Sequence, residues 1–470
     1  MPRRPPTSRS TCRCWRACWG ALQTGSVIPT FILDPAFDQS SSRRKNFLYE
    51  GLNELDKELR KRNSYLVIRK GKPIDELRKL FDETKSETIF AEEDFTPYAR
   101  RRDSLIQKIL PLTLIHSQTV HHPKQVLKQD GRPYTVYTPY SKIWKLQYKK
   151  INLISAPEKI DTPVGIKSEL IPNFESSKHF PAGELEAQTR LEEFTGMEST
   201  SLVVDKQKQA SALHKLYSYA NDRNRMDLDG TSSLSPYLRF GMLGLRQAVY
   251  AAKQAESQAR SAEAKRNAEI WLNELIWREF YIQILYHFPH VANESFNPAL
   301  KNIPWRNNVE EFEKWKAGET GVPIVDAAMR QLKSIGWMHN RARMIVASFL
   351  VKDLLIDWRW GEAWFMENLL DGDLAANNGG WQWTAGTGTD AAPYFRIFNP
   401  VLQSVKFDPH GNYIRKWIPE LKDLSEKEIH TPWEYKIKVS GYPESPIVDR
   451  EIVKERTLKA YNISKEKIKT

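Results

Sequence analysis

Cysteine is nearly absent. The 470 residues hold three, Cys12, Cys14 and Cys18, and the chain beyond them is thiol-free. A disulfide scaffold is excluded by size and count, and three clustered cysteines with no fourth ligand nearby do not make a zinc site. Long apolar runs are missing too, so no segment should span a bilayer. The basic opening, Met1 to Arg4, lacks the apolar stretch of a secretory signal. The expectation is a cytoplasmic protein with no membrane partner and no obligate protein partner. No G-x-G-x-x-G occurs, so the usual dinucleotide fingerprint is missing. Acidic charge is in deficit, with 58 Asp and Glu against 70 Lys and Arg, a formal +12. That excess favours a polyanionic partner, because neutralised phosphates release counterions. A merely basic soluble protein shows the same balance, and charge alone leaves the two open.

What is present is an ordinary globular composition, 40% hydrophobic and 27% charged, in a chain long enough for two domains. Tryptophan is unevenly spread: ten of the 15 lie between Trp271 and Trp383, a density that packing alone rarely demands.

From about residue 26 to 130 the pattern alternates strand and helix. Val27 to Leu33, Tyr65 to Ile68, Thr88 to Ala91 and Leu112 to Ile115 are short β-branched runs. Between them, Phe47, Leu48, Leu52, Leu55 and Leu59 fall at helical spacing, and Pro73 suits a first helical turn. Strands separated by helices imply a parallel, Rossmann-like sheet. Residues 1–25 carry no strand period, so the first strand is expected to be missing or altered, through a disordered tail or a shifted reading frame. Residues 131–200 contain Pro157, Pro163, Pro172 and Pro181 in polar surroundings and read as an interdomain linker. Residues 201–470 read as all-α, with Val322, Val325, Met329 and Leu332 as one helical stripe.

Four segments carry chemistry. In Trp271–Tyr281, Glu274, Trp277, Arg278 and Tyr281 share a helical face that can stack bases and hold phosphate; an amphipathic face with an ion pair accounts for it equally. In Gly336–Arg343, Trp337 and Met338 offer a flat apolar surface beside Arg341 and Arg343. Arginine suits phosphate or carboxylate, and solvated arginines at a helix start are the plainer account. Asp371–Trp383 combines two acids, two amides and paired glycines before two tryptophans, which suits a heterocyclic ligand rather than a core. Gly230–Tyr237 is a hydroxyl-rich turn opening a helix, suited to an anion or to plain capping.

In this order, the four segments resemble the photolyase/cryptochrome flavoprotein family from about Val27 to Glu420, and most nearly its class I cyclobutane pyrimidine dimer photolyases. The resemblance implies an antenna-pigment domain at 26–130 and an FAD-binding catalytic domain at 201–470. It implies light-driven electron transfer from reduced FAD to a pyrimidine dimer flipped out of DNA. Tyr219 and the turn Thr231, Ser232, Ser233, Leu234 and Ser235 are implied at the FAD phosphates, with Ser233 standing where many relatives have Arg. Trp271, Arg343, Asp371, Gly372, Asp373 and Asn377 are implied around the cofactor, Arg343 paired to Asp371 and Asn377 facing flavin N5. Glu274 is implied as the group that steadies charge on the dimer, with Trp277, Met338 and Trp383 packed against its bases. Trp337 and Arg341 are implied as supports of the opened duplex. Arg223, Arg278, Tyr281, Asn340, Arg396 and Gln403 are implied at the DNA or lesion rim. Trp381, Trp358 and Trp305 match the family's electron relay.

Within the family, Asn377 and the set Glu274, Trp277 and Met338 resemble repair enzymes. The alternative is a cryptochrome-like blue-light photoreceptor without repair. A second antenna pigment is implied as well. Thr96 replaces the ring-contacting Glu of folate-binding relatives, which leaves folate, a deazaflavin or a flavin open.

Overall fold

The computed structural model describes residues 13–196 and 215–466, so Cys12 and the expected boundary at residue 200 lie outside the described residues. The chain divides into two compact units, the first comprising Met1–Pro133, Pro139–Ala220 and Thr231–Tyr286, the second Tyr134–Thr138, Asn221–Gly230 and His287–Thr470.

In the first unit all four expected strands form, each four residues long: β1 (Thr30–Leu33), β2 (Val67–Lys70), β3 (Ile89–Glu92) and β4 (Leu112–Ile115). Helices separate them, as parallel pairing requires. After α1, which spans Arg13–Leu22, these are α2 (Ser42–Arg60), α3 (Pro73–Thr84) and α4 (Pro97–Gln107). Ser41 and Thr96 cap α2 and α4 by accepting the amides of Arg44 and Ala99, and proline opens α3 and α4 where its missing N–H is harmless.

The sheet is split. Among the described residues β1 pairs only with β2 and β3 only with β4, both parallel, with Thr30 opposite Val67 and Ile89 opposite Leu112. The described part of the altered N-terminal segment, from Arg13 on, forms no strand; it carries the helix α1. Gly20 lies so close to β3 that an added Cβ would stand 3.3 Å from the Phe90 ring. On its other side Cys18, Ala21 and Leu22 pack into the cluster holding Phe31, Leu33 and Ile68. The helix therefore touches both half-sheets. It cannot continue their hydrogen bonding, because its own backbone groups are spent internally. β1 and β3 stay half-buried along their length, whereas Val67, Ile68 and Arg69 of β2 are buried.

Beyond α5 (Tyr137–Gln147) the proline-rich stretch has no regular element until α6 (Glu184–Thr195). It nevertheless lies along the half-sheet, with Val27 N–H bonded to Asp161 O, Glu169 N–H to Ile68 O, and the Ser64 and Thr162 hydroxyls 2.7 Å apart. The remaining helices of this unit are α7 (Lys215–Asp222, its last two residues belonging to the second unit), α8 (Ser235–Phe240), α9 (Leu245–Gln258) and α10 (Ala262–His287).

The second unit is helical: α11 (Val309–Ala317), α12 (Pro323–Ile335), α13 (Asn340–Ser348), α14 (Trp358–Asn368), α15 (Leu374–Ala385), α16 (Pro400–Phe407), α17 (Asn412–Trp417) and α18 (Arg450–Glu466). Its core gathers Val325, Met329, Met338, Phe349, Trp358 and Trp381. Between α13 and α14 the turn Phe349–Asp353 widens to a π-helix. α18 is fastened there, Arg450 to the Asp353 carboxylate at 2.5 Å and Thr457 Oγ1 to Lys352 O at 2.6 Å. Among the described residues, no helix is long and apolar enough to cross a membrane.

Candidate functional site

In the first unit, α10 sorts its side chains by helical spacing. Leu272, Leu275 and Ile276 are buried, while Glu274, Trp277, Arg278 and Tyr281 form a half-buried face. On that face the Trp277 and Tyr281 rings lie 5.5 Å apart and tilted by 33°. Trp271 is buried at the other end and packs on Phe194, which also meets Tyr219 edge-on. The structure thus brings Trp271 and Tyr219 around one ring. In the hydroxyl-rich turn, Thr231, Ser232 and Ser235 are half-buried, Leu234 is buried, and Ser233 takes a left-handed backbone at φ 49°.

One residue of the same helix escaped the sequence reading. Glu279 is wholly buried, and its carboxylate accepts N–H groups from Val120, from His121 at 3.4 Å and from Trp144 Nε1 at 2.6 Å. Burial raises it to about 7, against the pull of those donors and of Arg246. A signal was available, since it sits on the stripe of Leu272, Leu275 and Ile276, where a carboxylate has no apolar purpose.

In the second unit, Gly336 ends α12 in the left-handed conformation and turns the chain. Trp337 stays half-buried while Met338 goes fully into the core. The flat apolar surface read at this pair is therefore offered by Trp337, and Met338 acts as packing. His339 caps α13 through Nδ1, which accepts the Arg341 amide at 3.1 Å. Burial, then the charges of Arg341, Arg343 and Arg223, lowers this imidazole to about 4. Asn340 is exposed at the helix start and Gln403 is half-buried on α16.

Three predicted DNA-facing arginines come together. Arg341 bonds the Asn224 Oδ1 through Nη2 at 2.7 Å and lies over the Phe407 ring at 4.4 Å. It is lowered to about 10 by burial, then by the charges of Arg223 and Arg396. Arg396 is exposed.

Arg343 takes a different role. Its Nη2 reaches both Asp371 oxygens at 3.1 and 2.9 Å and its Nε donates to Met338 O at 2.8 Å. Gly372 and Asp373 follow in a buried turn, and Asp373 caps α15 by accepting the Ala376 amide at 3.0 Å. One turn on, Asn377 donates its Nδ2 to the Glu362 backbone oxygen at 3.0 Å and to Oε1 at 3.1 Å. That leaves the Asn377 carbonyl oxygen as the presented atom. Glu362, another residue missed in the sequence, is raised to about 7 by burial. Neighbouring Asn378 is buried, its Nδ2 lacking an acceptor among the described residues.

Trp381 and Trp358 are buried in one cluster, with half-buried Trp305 packed against it. Among the described residues neither buried indole N–H has a hydrogen-bond partner. A Cβ at Gly361 would stand 2.1 Å from the Trp381 ring, so glycine admits that indole. Trp383, two residues on, is half-buried.

Two family models match the chain, "DNA photolyase" over residues 16–162 and "FAD binding domain of DNA photolyase" over 271–463. The deoxyribodipyrimidine photo-lyase of a Synechococcus strain is 38% identical, covering 94% of this chain and 92% of its own. Among solved structures, a class III photolyase from Agrobacterium tumefaciens superposes with a TM-score of 0.86 at 33% identity, over 96% of this chain and 95% of its own. A cryptochrome from Synechocystis superposes at 0.81 and 28% identity, over 95% of each.

Proposed function

The chain belongs to the DNA photolyase family, and on that premise we propose that it repairs cyclobutane pyrimidine dimers in DNA with light absorbed by bound FAD. The observation that carries the DNA part is the cluster of Arg223, Arg341 and Arg396. Burial first, and then the charges of Arg223 and Arg396, depress Arg341, and such an arrangement is relieved by a polyanion.

The residues present fit FAD. Asn378 keeps a buried amide N–H₂ without a partner among the described residues, and Asn377 has its nitrogen committed so that its oxygen can accept from flavin N5–H. Bound there, FAD supplies a photoexcitable one-electron donor. In the first unit Thr231, Ser232, Ser233, Leu234 and Ser235 would hold its phosphates beside Tyr219, with Trp271 bordering it. In the second unit Asp371, oriented by Arg343, would fix the ring with Gly372 and Asp373.

Glu274 would hydrogen-bond the dimer and steady the negative charge that arrives there. Trp277 and Trp383 would stack on the flipped bases, and Trp337 with Arg341 would prop the opened duplex. Arg278, Tyr281, Asn340 and Gln403 would line its rim. Trp381 and Trp358 would pass electrons inward from Trp305. With no acceptor for their N–H among the described residues, the two buried indoles would keep their protons when oxidised. A second pigment, whether folate, deazaflavin or flavin, would serve as antenna.

The experiment is repair by variants of the photoreduced protein. Trp277→Ala should weaken binding of dimer-containing DNA by about 1–3 kcal/mol, roughly five- to 150-fold. Glu274→Ala should slow repair with less effect on binding. If both variants repair normally, the dimer does not sit on this face. Photoreduction of FAD without any repair would favour the cryptochrome-like reading.

A further inference from the structure

In the first unit, the chain from Val120 to Gln125 and the end of α5 face Arg246 of α9 across an open cavity of about 520 Å³. Its walls are tied together. The buried Glu279 carboxylate accepts the Val120 amide from one wall and Trp144 Nε1, 2.6 Å away, from the other. Arg246 adds a tie, its Nη2 donating to Val120 O at 2.9 Å. His121 Nε2 meets Trp144 O at 3.2 Å, and the Tyr148 ring stacks on Trp144 at 5.8 Å with 18° between the planes. Hydrogen bonds and ring packing therefore fix the shape of this cavity.

The charge on its lining has one sign. Arg246 and Lys149 reach it, and none of the lining residues is acidic. His121 lines it too, but burial, and then the charge of Arg246, lowers that imidazole and keeps it neutral. The acids packed nearby are engaged elsewhere. Glu256 holds Lys253 at 2.5 Å, Glu269 holds Lys145 at 2.7 Å, and Glu279 accepts three N–H groups. Lys149 is exposed. Gln125 commits its carbonyl oxygen to the His122 amide at 2.8 Å, which leaves its N–H₂ as the donor it can offer.

A guanidinium and an ammonium with no carboxylate between them attract an anion. Arg246, Lys149 and Gln125 come from three separate segments, an arrangement that suits the three oxygens of a phosphate better than the two of a carboxylate. The volume lies within the range of small-molecule sites, about 300–1,000 Å³, and exceeds what a bare ion fills. Val120, Leu146 and the half-buried Tyr148 ring supply apolar surface for a carbon body.

We propose that this cavity binds a small phosphomonoester, its phosphate on Arg246 and Lys149 and its carbon body against Val120, Leu146 and Tyr148. None of the lining residues belongs to the flavin, dimer or relay sets, so the inference goes beyond the repair reading and does not rest on it.

The test is calorimetric titration of the full flavin-loaded chain with phenyl phosphate, inorganic phosphate and benzoate, each repeated as a melting shift. Phenyl phosphate should saturate one site and bind about tenfold tighter than inorganic phosphate, because its ring is buried. Benzoate should bind more weakly than phenyl phosphate. Arg246→Gln should weaken phenyl phosphate roughly tenfold and Lys149→Gln about threefold. Leu146→Asp, at an exposed position, brings a carboxylate to the lining and should weaken it roughly tenfold. Arg341→Gln, in the arginine cluster of the second unit, should leave it unchanged. Arg246 also holds Val120, so if its variant fails to fold, Lys149→Gln and Leu146→Asp carry the test. Binding that survives both of these, or that is lost in Arg341→Gln, overturns the proposal. So does the absence of both heat and melting shift with either phosphate, or benzoate binding as tightly as phenyl phosphate. Displacement of phenyl phosphate by undamaged duplex DNA would make the cavity part of a nucleic-acid surface and overturn it as well.

Discussion

Replacing Glu279 with glutamine should remove a pH dependence from the stability of the first unit. The ordinary value of this carboxyl is 4.5 and burial raises it to about 7. Between those values the folded chain holds a proton that the unfolded chain has released, so this group's contribution falls as pH rises through the window. The span corresponds to about 3 kcal/mol, more favourable at pH 4 than at pH 8. Glutamine does not titrate, and its single oxygen cannot serve the Val120, His121 and Trp144 donors together. The variant should therefore be weaker at acid pH by about 1–3 kcal/mol for the unsatisfied donors. That gap should narrow by about 3 kcal/mol, or reverse, by pH 8. Urea unfolding of both proteins from pH 4.5 to 8 measures it. The comparison must be a difference, because Glu362 and Asp353 also rise to about 7 and Asp326 and Asp408 to about 6. A gap that stays constant over this range would refute the reasoning.

Two further outcomes concern the fold and the second unit. Arg343→Ala leaves the Asp371 carboxylate buried without its ion pair, and such a loss costs about 3–5 kcal/mol. The second unit's melting should drop by roughly 10 °C, and Asp371→Asn in the same background should recover part of that loss; additive losses would show that the pair is not coupled. In hydrogen exchange, Thr30, Ile32 and Phe90 should be poorly protected. The register turns their amides away from β2 and β4 toward the unpaired edges, while Phe31, Leu33 and Ala91 face their partners. Equal protection of both sets would mean that another strand completes the sheet.

Strand and helix positions from Thr30 to Ile115 were legible because β-branched runs and three-and-four spacing are local signals. The split of the sheet was not, since pairing depends on what lies opposite in space. The oddness of residues 1–25 was visible in composition, but the helix over Arg13–Leu22 and its contact with Phe90 were not. The half-buried face of Glu274, Trp277, Arg278 and Tyr281 followed from helical geometry alone. Glu279 on the next stripe went unread because its donors come from residues 120–144, far along the chain. The same holds for the bond from Asn377 to Glu362, and for Lys352, a buried lysine that no local pattern distinguishes from a solvated one. Arg223 and Arg396 were each readable as basic residues, but their joint effect on Arg341 belongs to the fold.

The most direct measurement gives the photoreduced protein two oligonucleotides, one with a thymine cyclobutane dimer and one with a (6-4) photoproduct, under blue light and in darkness. The account predicts restored thymines from the cyclobutane dimer in light only, and no reaction of the (6-4) product. Repair in darkness, or in light of the (6-4) product alone, would contradict it.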